Sequence, residues 1–184
     1  MKKFIISVLG KDRPGIIAAV TQVLFQHDFN IEDVSQTILQ NEFSGIFIVT
    51  GPDAGDPQIV CRALENTTVD LNLHIHVKAM DAAPYQWTTA SREPFVITTR
   101  GPDRKGLVAQ ITAVLAAHNV NVTQLQAVFR GGNAPERNVM IYEVDIPADS
   151  DLPKLRAALN AKGAELGLEV NLQHKNIFEA INRI

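Results

Sequence analysis

Set against itself with a shift of 91 residues, the chain matches without a gap from the pair of positions 4 and 95 to the pair 39 and 130. No other feature constrains the fold as much. Phe4/Phe95, Ile6/Ile97, Gly10/Gly101, Asp12/Asp103, Arg13/Arg104, Gly15/Gly106, Thr21/Thr112, Leu24/Leu115, His27/His118 and Asn30/Asn121 are identical pairs. Shared strand and helix periodicity would supply some of the apolar matches, but not the repeated glycines, aspartates and asparagines. A chain of 184 residues can hold one domain or two. The repeat favours two, each still long enough to bury a core.

Each copy carries the same succession of patterns. Phe4, Ile6 and Val8 alternate as in a strand, and Ile16, Ile17, Val20, Val23 and Leu24 recur at helical spacing. The helix should end over residues 28–30, where Asp and Asn tolerate a left-handed turn. Strands then follow at 31–39 and 44–50, a helix including 59–64, and a strand at 71–79. In the second copy residues 95–99, 107–117, 122–129, 138–146, 152–162 and 168–174 fill the same places. The run Gly131-Gly132-Asn133-Ala134-Pro135 lengthens one hairpin. With no helix or Lys-Ser/Thr signature after it, the run reads as a turn and not as a phosphate cradle.

This order predicts an α+β fold, two tandem ferredoxin-like βαββαβ domains with two helices on one face of each antiparallel four-stranded sheet. The expected boundaries are 1–82 for the first domain, 83–94 for a linker and 95–184 for the second domain with a short tail helix at 176–184. Pro84, Pro94 and intervening polar residues mark the linker, and its Tyr85 and Trp87 are read as packing on a domain. The runs Phe4-Ile5-Ile6, Val8-Leu9 and Ile46-Phe47-Ile48-Val49 are apolar at consecutive positions. Both faces of those strands are therefore expected to be buried, the second by another domain or subunit.

A net charge of −3 argues against direct nucleic-acid binding, which needs a clustered basic stripe. Residues 1–88 hold six basic and ten acidic residues, and residues 89–184 hold eleven and ten, so neither half is a polyanion binder. The third strands lack the Arg/Lys-Gly-Phe/Tyr pattern of base-stacking sheets. Cys61 is the sole cysteine, which excludes an internal disulfide and makes a cytoplasmic location the expectation. The apolar start is cut short by Lys11-Asp12-Arg13, too early for a signal peptide, and no run approaches the length that spans a bilayer.

The segment Gly10-Lys11-Asp12-Arg13-Pro14-Gly15-Ile16, repeated as Gly101-Pro102-Asp103-Arg104-Lys105-Gly106-Leu107, lies where the first strand turns into the first helix. Asp12 suits a helix cap, Pro14 a first helical position, and Gly15 a close approach of backbone or ligand. Free N–H groups at such a helix start can receive the carboxylate of an amino acid. A plain well-capped turn is the alternative, but capping alone does not call for the same Asp-Arg pair twice.

Asp12-Arg13-Pro14-Gly15 with Asn30-Ile31, and Asp103-Arg104-Lys105-Gly106 with Asn121-Val122, resemble the ACT-domain signature over nearly the whole chain. Lys105 departs from it by removing a pre-set φ. The string Phe29-Asn30-Ile31-Glu32-Asp33-Val34 followed by Asn41-Glu42-Phe43 is most similar to the glycine cleavage system transcriptional repressor group. The resemblance implies a homodimeric regulator acting through a partner transcription factor, with a small amino acid, glycine first among candidates, as its signal. The ligand would sit where the first loop of one domain meets the helix end and second strand of a neighbouring one. Asp12, Arg13, Pro14, Gly15, Ile16, Asn30 and Ile31 are the first-copy candidates, and Asp103, Arg104, Gly106, Leu107, Asn121 and Val122 the second.

No cofactor is expected, and no nucleophile motif, metal motif or phosphate loop is assembled by spacing. His74 and His76 share a strand face, yet no Cys or carboxylate completes a metal set, and Cys61 among Ile59, Val60 and Leu64 reads as a small apolar filler. His27 and His118 suit the C-terminus of the first helix, where a positive imidazole would meet the dipole. A ligand-free dimerisation module and a detached regulatory part of a metabolic enzyme stay open as other readings.

Overall fold

The computed structural model describes residues 2–52, 57–80, 91–128 and 138–181. The chain divides into two compact units, Met1–Pro84 and Tyr85–Ile184, each with its own hydrophobic core. In the first unit the elements run β1 (Lys2–Lys11), α1 (Ile16–Gln26), β2 (Asn30–Leu39), β3 (Glu42–Gly51), α2 (Pro57–Thr67), a 3-10 turn (Val69–Leu71) and β4 (His74–Ala79). In the second they run β5 (Arg92–Gly101), α3 (Leu107–Ala117), β6 (Asn121–Val128), β7 (Asn138–Pro147), α4 (Leu152–Leu166), β8 (Glu169–His174) and α5 (Lys175–Ile181).

Both sheets are antiparallel, in the orders β2-β3-β1-β4 and β6-β7-β5-β8. This is the tandem ferredoxin-like arrangement that the repeat predicts. In β1 the alternation sends Phe4, Ile6 and Val8 into the core, where they meet Val20, Val23 and Leu24 of α1. Full burial of each such side chain contributes about 1.5–3 kcal/mol. The α1 helix ends at His27, with Asp28 left-handed at φ 58° and the Phe29 N–H donating to the Leu24 carbonyl at 2.9 Å. Helix α3 repeats this closure with His118, Asn119 at φ 56° and Val120 on Leu115 at 3.0 Å.

A register shift falls between Ile31 and Asp33 in β2 and at the corresponding place, between Val122 and Gln124, in β6. Ile31 and Val34 are an odd number of residues apart and would point to opposite faces of a regular strand. The bulge places them opposite Val49 and Phe47, both on the helix-covered side.

Several expected boundaries differ. The segment read as the end of the linker, residues 92–94, belongs to β5, with Pro94 paired to Asp145. Proline is accommodated in this central strand because pairing with β8 begins only at Phe95, which leaves one side of Pro94 outside the ladder. The fourth strand starts at His74 and not at residue 71, since Asn72 takes a left-handed φ of 50° after the 3-10 turn. In the first unit its own helices bury one face of the sheet. Phe4, Ile6, Val8, Phe47 and Val49 are buried, but Leu9 and Ile46 on the other face are 49% and 44% exposed, because both helices lie on one side. The glycine-rich hairpin, Tyr85, Trp87 and residues 182–184 of the expected tail helix lie outside the described residues.

Candidate functional site

The two strand-to-helix loops are built alike. Gly15 and Gly106 are the N-caps of α1 and α3, at φ 99° and 89°, and neither helix receives a side-chain capping bond. The expectation that Asp12 caps and Pro14 opens the helix is therefore corrected: both precede a glycine cap. Glycine is needed here for its left-handed backbone, not for a close approach, because a Cβ on Gly15 would meet nothing within 4 Å. The first intrahelical bonds run from Ala19 to Gly15 at 2.9 Å and from Gln110 to Gly106 at 3.0 Å. The N–H groups before them have no acceptor within the helix and point out of its positive end.

Backbone carbonyls hold the loops in place. The Asp12 N–H donates to the Asn41 carbonyl at 2.7 Å, tying the first loop to the β2–β3 hairpin. Arg13 Nη1 donates to the Asp70 carbonyl at 3.2 Å, and Arg104 Nη2 reaches the Glu165 carbonyl at 3.5 Å. The repeated arginine thus anchors the first loop to the 3-10 turn that follows α2 and the second loop to the last turn of α4.

At the start of α3 lies a pocket of about 600 Å³, lined by Asp103, Arg104, Gly106, Leu107, Val108, Ala109, Ala127, Asn138 and Met140. The volume falls within the range of about 300–1,000 Å³ usual for small-molecule sites. Leu107, Val108 and Ala109 are the first three residues of the helix, so its uncapped N–H groups belong to this wall. Asn138 is 7% exposed and donates from Nδ2 to Asp103 Oδ1 at 3.2 Å, and its own Oδ1 is buried without a hydrogen-bond partner. The pocket joins a carboxylate, a guanidinium, an amide and a helix start to apolar walls.

Of the second-copy candidates, Asp103, Arg104, Gly106 and Leu107 come together here, and Asn121 and Val122 do not. Asn121 pairs with Asp145, seven positions along β7 from Asn138, or roughly 23 Å at the usual strand rise. In the first unit Asp12, Arg13, Pro14, Gly15 and Ile16 sit at one end of the sheet, and Asn30 and Ile31 at the other, beside Thr50 and Val49. Sequence reasoning missed Asn138, Ala127 and Met140. Asn138 was detectable as the one polar residue in the buried series Asn138, Met140, Tyr142, Val144, Ile146.

The remaining candidates resolve simply. Cys61 is half-buried against the first core, and burial, followed by the Glu65 carboxylate, raises its thiol pKa, which opposes a nucleophilic role. Its Sγ lies 3.7 Å from Glu65 Oε1. His74 and His76 line a shallow groove of about 380 Å³ with Ser7, Leu9, Ser44 and Ile46 on the open face of the first sheet. Among the described residues no three His, Cys, Asp or Glu side chains are grouped to hold a metal, and no helix is long and apolar enough to cross a membrane. His27 and His118 are the C-cap residues of α1 and α3.

Fold and loop together define a class: paired split-βαβ units whose first loop presents uncapped helix N–H groups. The ACT-domain model matches residues 2–78 and 93–173, and the chain belongs to the ACT-domain family. The chain is 27% identical over 176 residues to the glycine cleavage system transcriptional repressor of Escherichia coli, covering 94% of this chain and 90% of that one. A UPF0237 protein of Methanosarcina acetivorans is 38% identical over 97 residues, 52% of this chain and 99% of its own length. Among solved structures, a protein of unknown function from Galdieria sulphuraria superposes with a TM-score of 0.73 at 23% identity, covering 94% of this chain and 98% of that one. Another, provisionally described as a glycine cleavage system transcriptional repressor, superposes with a TM-score of 0.70 at 19% identity, covering 94% and 96%. At these identities the two structures speak for the fold alone.

Proposed function

We propose that this chain is a regulatory protein of the cytoplasm that binds a small amino acid, glycine first among candidates, at a strand-to-helix loop. Binding alters its association with a partner protein such as a transcription factor. The observation that carries the reading is the pocket at the start of α3, where uncapped backbone N–H groups suit a carboxylate and Asp103 and the Asn138 amide suit an ammonium. The relation to the Escherichia coli repressor over nearly the whole chain supports the regulatory role and the choice of glycine.

A bound ligand shifts an association only by its unequal affinity for two arrangements, and the usual coupling of about 1–3 kcal/mol changes partner affinity about 5- to 150-fold. The exposed apolar side chains of the edge strand β2, Val34, Ile38 and Leu39, support self-association as a homodimer. Calorimetric titration of the full chain with each of the twenty amino acids tests the reading. Saturable binding of at least one small amino acid is expected, and silence from all twenty at millimolar concentration refutes it.

A further inference from the structure

One position distinguishes the two helix entrances. Asn138 stands at the head of β7 opposite Gly101, and the residue in the same register opposite Gly10 is Phe43. In the second unit Asn138 Nδ2 donates to Asp103 Oδ1, and because a carboxylate only accepts, this bond fixes which way the amide faces. The amide oxygen is left as a buried acceptor with no partner, in a residue that lines the pocket. Such an orphan carries a desolvation cost that an incoming N–H donor removes. Thr99, paired to Met140 in the pocket wall, also has a buried oxygen without a partner, and its counterpart by the repeat is Val8.

The first unit is apolar at both places. Phe43 is 2% exposed and its ring lies across Gly45, where a Cβ would meet Phe43 Cζ at 2.9 Å. The side chain therefore occupies the place that holds an amide in the second unit.

Resting on the reading that the α3 pocket takes a small amino acid, we propose that the two units have divided their roles. In the second unit Asn138 Oδ1 accepts from the ligand's ammonium while the helix N–H groups hold its carboxylate. In the first unit Phe43 closes the equivalent place, so that one amino acid binds per chain.

The test is calorimetry on the full chain with two shape-matched pairs, glycine against propionate and L-alanine against isobutyrate, in which a methyl replaces the ammonium. The wild-type chain is expected to bind one equivalent of amino acid and to prefer it over its partner acid by at least tenfold. Asn138→Leu is expected to lose most of that preference, by weakening the amino acid and sparing the acid, with its thermal unfolding showing that it folds. Two equivalents per chain, a measurement that needs no variant, overturn the proposal, as does an undiminished preference in folded Asn138→Leu. Either result leaves the amino-acid reading standing. Absence of binding by all twenty amino acids removes both.

Discussion

Replacing Gly106 with alanine isolates what the glycine contributes to the loop. Its φ of 89° and ψ of 0° place it in the left-handed region, and a Cβ there would meet only Gln110 Nε2, at 3.8 Å. Packing therefore adds no cost, and the penalty is that of left-handed backbone for an L residue, about 1–2 kcal/mol. For a unit of about 100 residues each kcal/mol lowers the melting temperature by about 4–8 °C, so Gly106→Ala should lower that of the second unit by roughly 4–16 °C. Asparagine enters this region more readily, as Asn119 does at φ 56°, so Gly106→Asn should recover part of the loss. Differential scanning calorimetry of the three chains reads the outcome. Gly15→Ala, at φ 99° with nothing within 4 Å of its Cβ, should act alike on the first unit. If Gly106→Ala melts with wild type, or Asn fares no better than Ala, the backbone argument for this glycine is wrong.

Three further outcomes follow from the cores. Thr99→Val removes a buried hydroxyl without a partner and reproduces the valine at position 8, so a gain of about 1 kcal/mol is expected in urea unfolding; a loss of that size would contradict it. Gly51→Ala drives a Cβ into the Phe29 ring, itself packed edge-on against Phe4, and should cost about 1–3 kcal/mol by the same assay. Tyr142 is fully buried and its phenol pKa is pushed up to about 12 by desolvation. The unfolded phenol ionises near 10 and the folded one does not, so stability is unaffected below pH 10 and falls between pH 10 and 12, by about 2–3 kcal/mol. Tyr142→Phe should abolish that part of the alkaline decline, and an identical decline in the variant would show that the tyrosine does not cause it.

Features written into short stretches of chain were legible. The alternation of Phe4, Ile6 and Val8, the helical spacing from Ile16 to Leu24, and the left-handed Asp28 and Asn119 depend on near neighbours and survive being read in isolation. The repeat itself announced two similar units. Capping was misread because Gly15 serves through a backbone angle that no side chain advertises, whereas Asp12 looks like a cap and lies too early in the loop.

The amino-acid order by itself determined the element succession, the doubling of the fold and the glycine-bearing loops, because hydrophobic period and backbone preference act over a few residues. Tertiary structure alone decided that Asn138 comes to rest beside Asp103 and that Phe43 stands opposite Gly10, and that Asn30 and Asn121 lie at the far end of their sheets from the loops. Those juxtapositions are set by strand pairing across dozens of residues, where a single step of register exchanges the buried face for the open one.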